Sequence, residues 1–505
     1  MKYRPLMILG AGSDVGKSIL VAALCRIFRQ EGIRVAPFKA QNMALNSFIT
    51  PEGHEMGRAQ VVQAQAAGLT PHADMNPILL KPSGAMGCQV IVHGKVYGNL
   101  KAQEYYAQRA GLVRKVMESY RRLAAAYDLI VLEGAGSAVE LNLKDHDLVN
   151  FNMAKRAQAA VLLVADIDRG GVFAATIGSH YLLTPGERRM LQGFIINKFR
   201  GDMALFVDGV RIIEQRTGKR VLGVVPFIKD LFLPQEDSVY LDRHRGRGRW
   251  REDGNLLIGV IRLPHISNYT DFDPLAQEPA VTIRYLDHHD ALDCLDLLIL
   301  PGTKNTIADL LYLQQSGLAE RIREFAQQGG RVVGICGGFQ MLGQWVRDPL
   351  AVEGLLPAAA GLGLLPIVTT MAGDKTTTQV QGRFLGFEGE EPIIAGYEIH
   401  MGVTEPVGGG RAVVAITERL GKAVQLLDGW ATPDLRIWGS YVHGLFDNDE
   451  FRRLWLADIR RQLNLPDGAS RNHAFADFQE EQFDKLAAVV RGCVDLPFLK
   501  KIIQL

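Results

Sequence analysis

The stretch 7-MILGAGSDVGKSIL-20 decides how the first half of the chain reads. An apolar run ends in a glycine-rich turn, and the turn leads into Lys17, Ser18 and apolar residues at helical spacing. Gly10, Gly12, Gly16, Lys17 and Ser18 form a candidate phosphate cradle. Backbone N–H groups at a helix start bind phosphate oxygens, a lysine offsets their charge, and a serine hydroxyl ligates Mg²⁺. A nucleotide and Mg²⁺ are therefore expected here, with no tightly bound organic group. The spacing departs from the common P-loop: position 11 is Ala11, and Gly10 leaves five residues before Gly16 instead of four.

Working outward, residues 17–32 keep apolar positions Ile19, Leu20, Ala23, Leu24 and Ile27 on one helical face and stop at Gly32. Short apolar runs follow at RVAPFK (34–39), YDLIVLEGAGS (127–137), AAVLLVADIDRGG (159–171), LQGFIINKFRGD (191–202) and RVLGVVPF (220–227). Their near-continuous apolarity suits parallel strands covered on both faces, so a doubly wound α/β domain is expected over 1–230. The rhythm breaks in the polar segment 229–253, whose RHRGRGRWR reads as a solvated linker, taken as 231–253. A second βα series then runs through NLLIGVIRLP (255–264), LDLLILPGTKNTIADLL (295–311), RVVGICGGFQML (331–342) and IWGSYVHGLF (437–446). It predicts a second doubly wound domain over 254–450, followed by a helical extension over 451–505.

Cys336 follows the strand RVVGI and precedes a helix. A G-x-C-x-G strand–turn–helix is the nucleophile elbow with sulfur in place of oxygen. The turn pushes the side chain out, giving an exposed-looking thiol among Gly334, Gly337 and Gly338. The Gly337 N–H can stabilise thiolate and oxyanion, and a second donor is expected near Gly302 and Thr303 in LILPGTKN. Cys25 and Cys294 lie inside apolar runs and read as inert. His443, at a strand end, is the expected base for Cys336; His400 in AGYEIHMG is the rival.

Bulk properties narrow the classes. A chain of 505 residues exceeds one ordinary core, and a net charge of +1 gives no electrostatic case for nucleic acid or an anionic membrane. Five scattered cysteines (25, 88, 294, 336, 493) without CxxC spacing argue against disulfides or structural zinc. A cytoplasmic protein with small-molecule partners is expected; its oligomeric state stays open.

The variant P-loop resembles dethiobiotin synthetase and its relatives, which activate a carboxylate by phosphorylation. That resemblance implies that Glu133 in VLEGAGS, with Ser18, binds magnesium. The elbow resembles class I (triad) glutamine amidotransferases: Gly334, Cys336, Gly338 and Gln340 match G-x-C-x-G-x-Q, which implies that Gln340 helps hold the substrate glutamine. One departure concerns the third triad member. The family has His-x-Glu, whereas His443 is followed by Gly444 and Leu445.

The two halves together resemble the glutamine-dependent amidases of the cobalamin pathway. KAQNMALNSF (39–48), LLKPSGAMGCQVIVHGK (79–95), INKFRGD (196–202), PGTKNTIADL (301–310) and GYEIHMG (396–402) carry the match. It implies amidation of corrinoid side-chain carboxylates with ATP and glutamine. Within the family, KAQNMALNSF favours the member that amidates carboxylates b, d, e and g of adenosylcobyrinic acid a,c-diamide. The member that makes the a,c-diamide is the alternative. CTP synthase shares the plan but keeps His-x-Glu. A non-catalytic P-loop ATPase with a degenerate amidotransferase-like domain is opposed by the intact cysteine motif.

Overall fold

The computed structural model describes residues 1–82, 87–234, 254–354, 356–466, 468 and 474–505. Residues 235–253 of the expected linker lie outside the described residues. The first domain is built on strands β1 (Leu6–Gly10), β2 (Val35–Phe38), β3 (Leu129–Glu133), β4 (Ala160–Asp166), β5 (Leu191–Phe199) and β6 (Arg220–Pro226). They form one parallel sheet in the order β6-β5-β4-β1-β3-β2. Strands β1 to β4 are buried along their whole length, because helices cover both faces. Helix α1 (Lys17–Gln30) starts from Gly16 in the left-handed region (φ 92°), where a Cβ would also sit 2.1 Å from Asn197 Nδ2.

The second domain repeats the plan with β7 (Leu256–Ile261), β8 (Val281–Leu286), β9 (Leu297–Leu300), β10 (Arg331–Ile335) and, far along the chain, β13 (Ile437–Ser440). Their parallel order is β8-β7-β9-β10-β13. Helix α2 (Gly337–Leu342) leaves β10 through Cys336. Between β10 and β13 the chain builds something that the α/β rhythm did not announce. The long antiparallel pair β11 (Ile367–Phe384) and β12 (Ile393–Pro406) heads a separate sheet, which also takes in β14 (Val442–His443). Around residues 380–384, β11 alternates buried and less buried positions, as expected for a sheet packed on one face.

The tail is helical but not a separate extension. Helix α3 (Asp449–Gln462) puts Phe451, Trp455 and Ile459 into the second core. Helices α4 (Phe475–Cys493) and α5 (Leu496–Ile503) return to the first domain, where Phe483, Leu486, Val490 and Leu499 share a core with Leu20, Leu24 and Ile27 of α1. Arg26 of α1 pairs with Glu480 and Asp484 of α4, each at 2.7 Å. Among the described residues, no helix is long and apolar enough to cross a membrane.

Candidate active sites

In both domains the motif residues collect at the carboxyl ends of adjacent parallel strands, where open α/β sheets form their binding crevice. In the first domain, β1 delivers the glycine loop, β3 delivers Glu133, and Lys39 follows β2. Asn197 and Lys198 come from β5. Lys17 Nζ donates to the carbonyls of Gly12 (3.2 Å) and Gly136 (3.0 Å), tying the glycine loop to the EGAGS turn. Ser18 Oγ donates to Glu133 Oε1 at 2.8 Å. Glu133 is buried and also accepts from Lys39 Nζ (3.0 Å) and Gln63 Nε2 (2.5 Å). Burial alone would raise its carboxyl. The Lys39 ammonium, the Gln63 hydrogen bond and the Lys17 charge override this and hold it below the usual range.

Lys39, Gln63, Asn197 and Lys198 were not singled out from sequence. Asn197 Nδ2 donates to the Val15 carbonyl at 2.8 Å, and Lys198 pairs with Asp166 at 3.0 Å. A cleft of about 1440 Å³ opens beside the glycine loop; Lys17, Ser18 and Glu133 line one part, Tyr105, Arg109 and Lys144 another. The serine hydroxyl beside an ionised carboxylate is a hard-oxygen pair suited to Mg²⁺. Among the described residues, no cluster of three or more His, Cys, Asp or Glu side chains forms a metal cage.

In the second domain, Cys336 lies in the strained region expected of an elbow, at φ 52° and ψ −109°. Close packing explains the small flanking residues: a Cβ on Gly338 would lie 1.9 Å from the Leu300 carbonyl oxygen. The thiol is 6% exposed, not open as the sequence suggests. The elbow turns it away from its own sheet, but β12 covers it, and Sγ lies 3.5 Å from the Ile399 carbonyl oxygen.

His443, on the neighbouring strand path, faces Cys336 on one side, near enough for the sulfur's charge to act on its ring. On the other, its Nδ1 lies 2.6 Å from Asp271 Oδ2. Burial pushes the imidazolium down, but the Asp271 carboxylate and the Cys336 sulfur override it and raise the ring to about 10. Asp271 also accepts from the Gly444 N–H at 3.1 Å. Leu445, where the family's glutamate would stand, is buried in the core. The carboxylate that meets His443 therefore comes from the segment after β7, a position that sequence reading had left empty.

Gly302 and Gly337 are brought to the same place. A Cβ on Gly302 would lie 3.1 Å from His443 Cε1, and one on Gly337 2.5 Å from Thr303 Cγ2. Gln340 is buried and engaged by protein: Nε2 donates to the Met401 carbonyl (3.0 Å) and Tyr441 Oη (3.1 Å), while Oε1 accepts from Thr306 (2.8 Å). It braces α2 against β12 more directly than it offers a free amide. His400 stacks on Tyr441 at 3.7 Å and faces Glu398 at 3.8 Å.

Comparison with known proteins matches both domains. Residues 6–238 match the family described as the CobQ/CobB/MinD/ParA nucleotide binding domain. Residues 257–451 match the CobB/CobQ-like glutamine amidotransferase domain. A cobyric acid synthase of Syntrophobacter fumaroxidans is 54% identical over 510 aligned residues, covering 100% of this chain and 99% of that protein. One of Sorangium cellulosum is 49% identical, covering 99% and 98%. One of Pelotomaculum thermopropionicum is 48% identical, covering 98% and 95%.

Fold, paired sites and matched domains define a glutamine amidotransferase fused to a P-loop nucleotide-binding domain. Within that class, the chain belongs to the cobyric acid synthase family.

Proposed function

We propose that this chain amidates the b, d, e and g carboxylates of adenosylcobyrinic acid a,c-diamide, consuming one ATP and one glutamine for each. The product is adenosylcobyric acid, made in the cytoplasm. The observation that carries the reading is the pairing, in one chain, of a strained Cys336 beside His443 with a P-loop cleft.

A carboxylate resists amidation because its leaving group would be oxide. Transfer of the ATP γ-phosphoryl group gives an acyl phosphate, whose leaving group is phosphate. Lys17 would stabilise the transferring phosphoryl group, as would N–H groups of the glycine loop. Ser18 and Glu133 would hold Mg²⁺, which supplies charge neutralisation on the phosphates when bound. The cleft exceeds the roughly 300–1,000 Å³ of ordinary small-molecule pockets, in keeping with a nucleotide and a large ring substrate together.

In the second domain, the Cys336 thiolate would attack the amide carbon of glutamine. The Gly337 N–H and the Gly302 turn would stabilise the oxyanion. His443, oriented by Asp271, would give its proton to the departing ammonia and then activate water to hydrolyse the thioester. The ammonia would displace phosphate from the acyl phosphate, completing the amide. Stoichiometry tests the coupling. Equal yields of glutamate, ADP and new amide are expected with the a,c-diamide present; amide formed without ADP would overturn it.

A further inference from the structure

The segment 46–58 belongs to the first domain by chain position, yet it is built into the second domain's active site. Strands Ser47–Ile49 and Glu55–Gly57 pair as an antiparallel hairpin. The Ser47 N–H donates to Asn268 Oδ1 at 3.0 Å, and Tyr397 Oη donates to the Ser47 carbonyl at 3.2 Å. Phe48 packs edge-on against Tyr397, with ring centroids 5.2 Å apart. Ile49, Tyr397 and Ile399 form a small buried cluster on which Phe48 packs.

Tyr397 is not a remote contact. Its ring stacks on the His443 imidazole at 5.3 Å with an 18° angle between planes. Asn268, the other residue gripped by Ser47, immediately precedes the short helix Tyr269–Phe272 that carries Asp271. The hairpin thus holds both the ring that backs His443 and the turn that supplies its carboxylate.

The hairpin's second strand is anchored by buried charge. Glu55 accepts from Lys375 Nζ of β11 at 2.5 Å and from Lys81 Nζ at 2.8 Å, and Lys81 also reaches Ser47 Oγ at 3.0 Å. Burial would raise the Glu55 carboxyl, but the Lys375 and Lys81 ammoniums hold it down at about 2, while burial lowers the Lys375 ammonium to about 7 against the pull of Glu55. Lys81 stands between Leu80 and Pro82, both of which line the nucleotide-side cleft. Packed contacts therefore run without a break from that cleft through Lys81, Ser47 and Tyr397 to His443.

We infer that the Ser47–Gly57 hairpin of the P-loop domain is a positioning element of the glutaminase, with Phe48 and Ser47 clamping Tyr397 against His443. The inference rests on the assignment of Cys336 and His443, which Cys336→Ala tests separately: continued glutamine use by that variant would sink the assignment itself. Tyr397 and Phe48 are positioning residues, since each is argued to act through His443.

Three variants of the full chain test it: Tyr397→Phe keeps the stacked ring but cuts the tether to Ser47, Phe48→Ala removes the clamp, and Phe48→Leu restores its bulk. Glutaminase turnover is measured against glutamine concentration, with ammonium-driven amidation as the measure of an intact first domain. Tyr397→Phe and Phe48→Ala should each lower glutaminase kcat about tenfold with KM changed less than about twofold, because orientation and not binding is lost. Phe48→Leu should recover most of the rate, and the ammonium-driven rate should hold in all three. Unchanged kcat in both Tyr397→Phe and Phe48→Ala would overturn the inference. So would a rise in KM alone, or equal losses of the glutamine- and ammonium-driven rates.

Discussion

Asp271 Oδ2 lies 2.6 Å from His443 Nδ1, although 172 residues separate them in the chain. In the proposed reaction this contact takes the place of the carboxylate that Leu445 cannot provide. Asp271→Asn should keep the geometry but remove the charge that favours the imidazolium. Glutaminase kcat should fall by about 10²- to 10⁴-fold, with ammonium-driven amidation preserved. Steady-state assays with the two nitrogen sources check this, and a near-normal glutaminase would remove Asp271 from the triad.

The same contact sets a pH dependence. His443 is raised from 6.5 to about 10, so the charged ring is favoured in the folded state. Its contribution to stability is complete below pH 6.5 and is lost as pH rises through about 10. The alkaline limb of glutaminase activity should accordingly lie near pH 10 in the wild type. It should move toward neutrality in Asp271→Asn. A pH–rate profile of kcat/KM that is identical in both proteins would contradict this.

Cys336→Ser should abolish glutamine use and leave amidation with ammonium salts. The elbow and the glycine loop stand at the carboxyl ends of strands in different sheets, and removing the sulfur disturbs neither the P-loop nor its cleft. Parallel loss of both rates would count against this division of labour.

Lys17→Ala should remove amidation from either nitrogen source while the isolated glutaminase half-reaction survives. Loss of one charge on a transferring phosphoryl group costs about 10²-fold or more. ATP-dependent product formation near the wild-type rate would refute the role given to Lys17.

His443→Asn should lose nearly all glutaminase activity, whereas His400→Asn should retain more turnover, with any defect mainly in glutamine affinity. His443 is the ring between Cys336 and Asp271, while His400 stacks on Tyr441 beside Glu398. Comparable losses of kcat in both variants would remove the distinction.

Local motifs made much of this legible. The glycine loop, the strand-end Glu133 and the elbow at Cys336 are each marked by the residues immediately around them. The parallel strands were readable because double burial leaves continuous apolar runs. What escaped depends on contacts distant in sequence. Asp271 sits in SNYTDFDPL, where nothing local marks one aspartate as the partner of a histidine 172 residues on. Lys39 and Gln63 converge on Glu133 from separate elements. The β11–β12 pair was missed because the α/β rhythm was carried across it. Its cover over Cys336 explains why a thiol pushed out by its own turn is nevertheless buried. The tail's helices were readable as helices, but their division between two cores depends on partners hundreds of residues away.

In the proposed reaction, nitrogen released at Cys336 ends on carboxylates activated in the P-loop cleft. Mass spectrometry of the corrinoid product tests it most directly, using the full chain with adenosylcobyrinic acid a,c-diamide, ATP, Mg²⁺ and glutamine labelled with ¹⁵N in its side-chain amide. A product with four new carboxamides, all carrying the label, is expected, and none when ATP is omitted. A product that stops at fewer amides with every substrate in excess, or whose new amides lack the label, would contradict it.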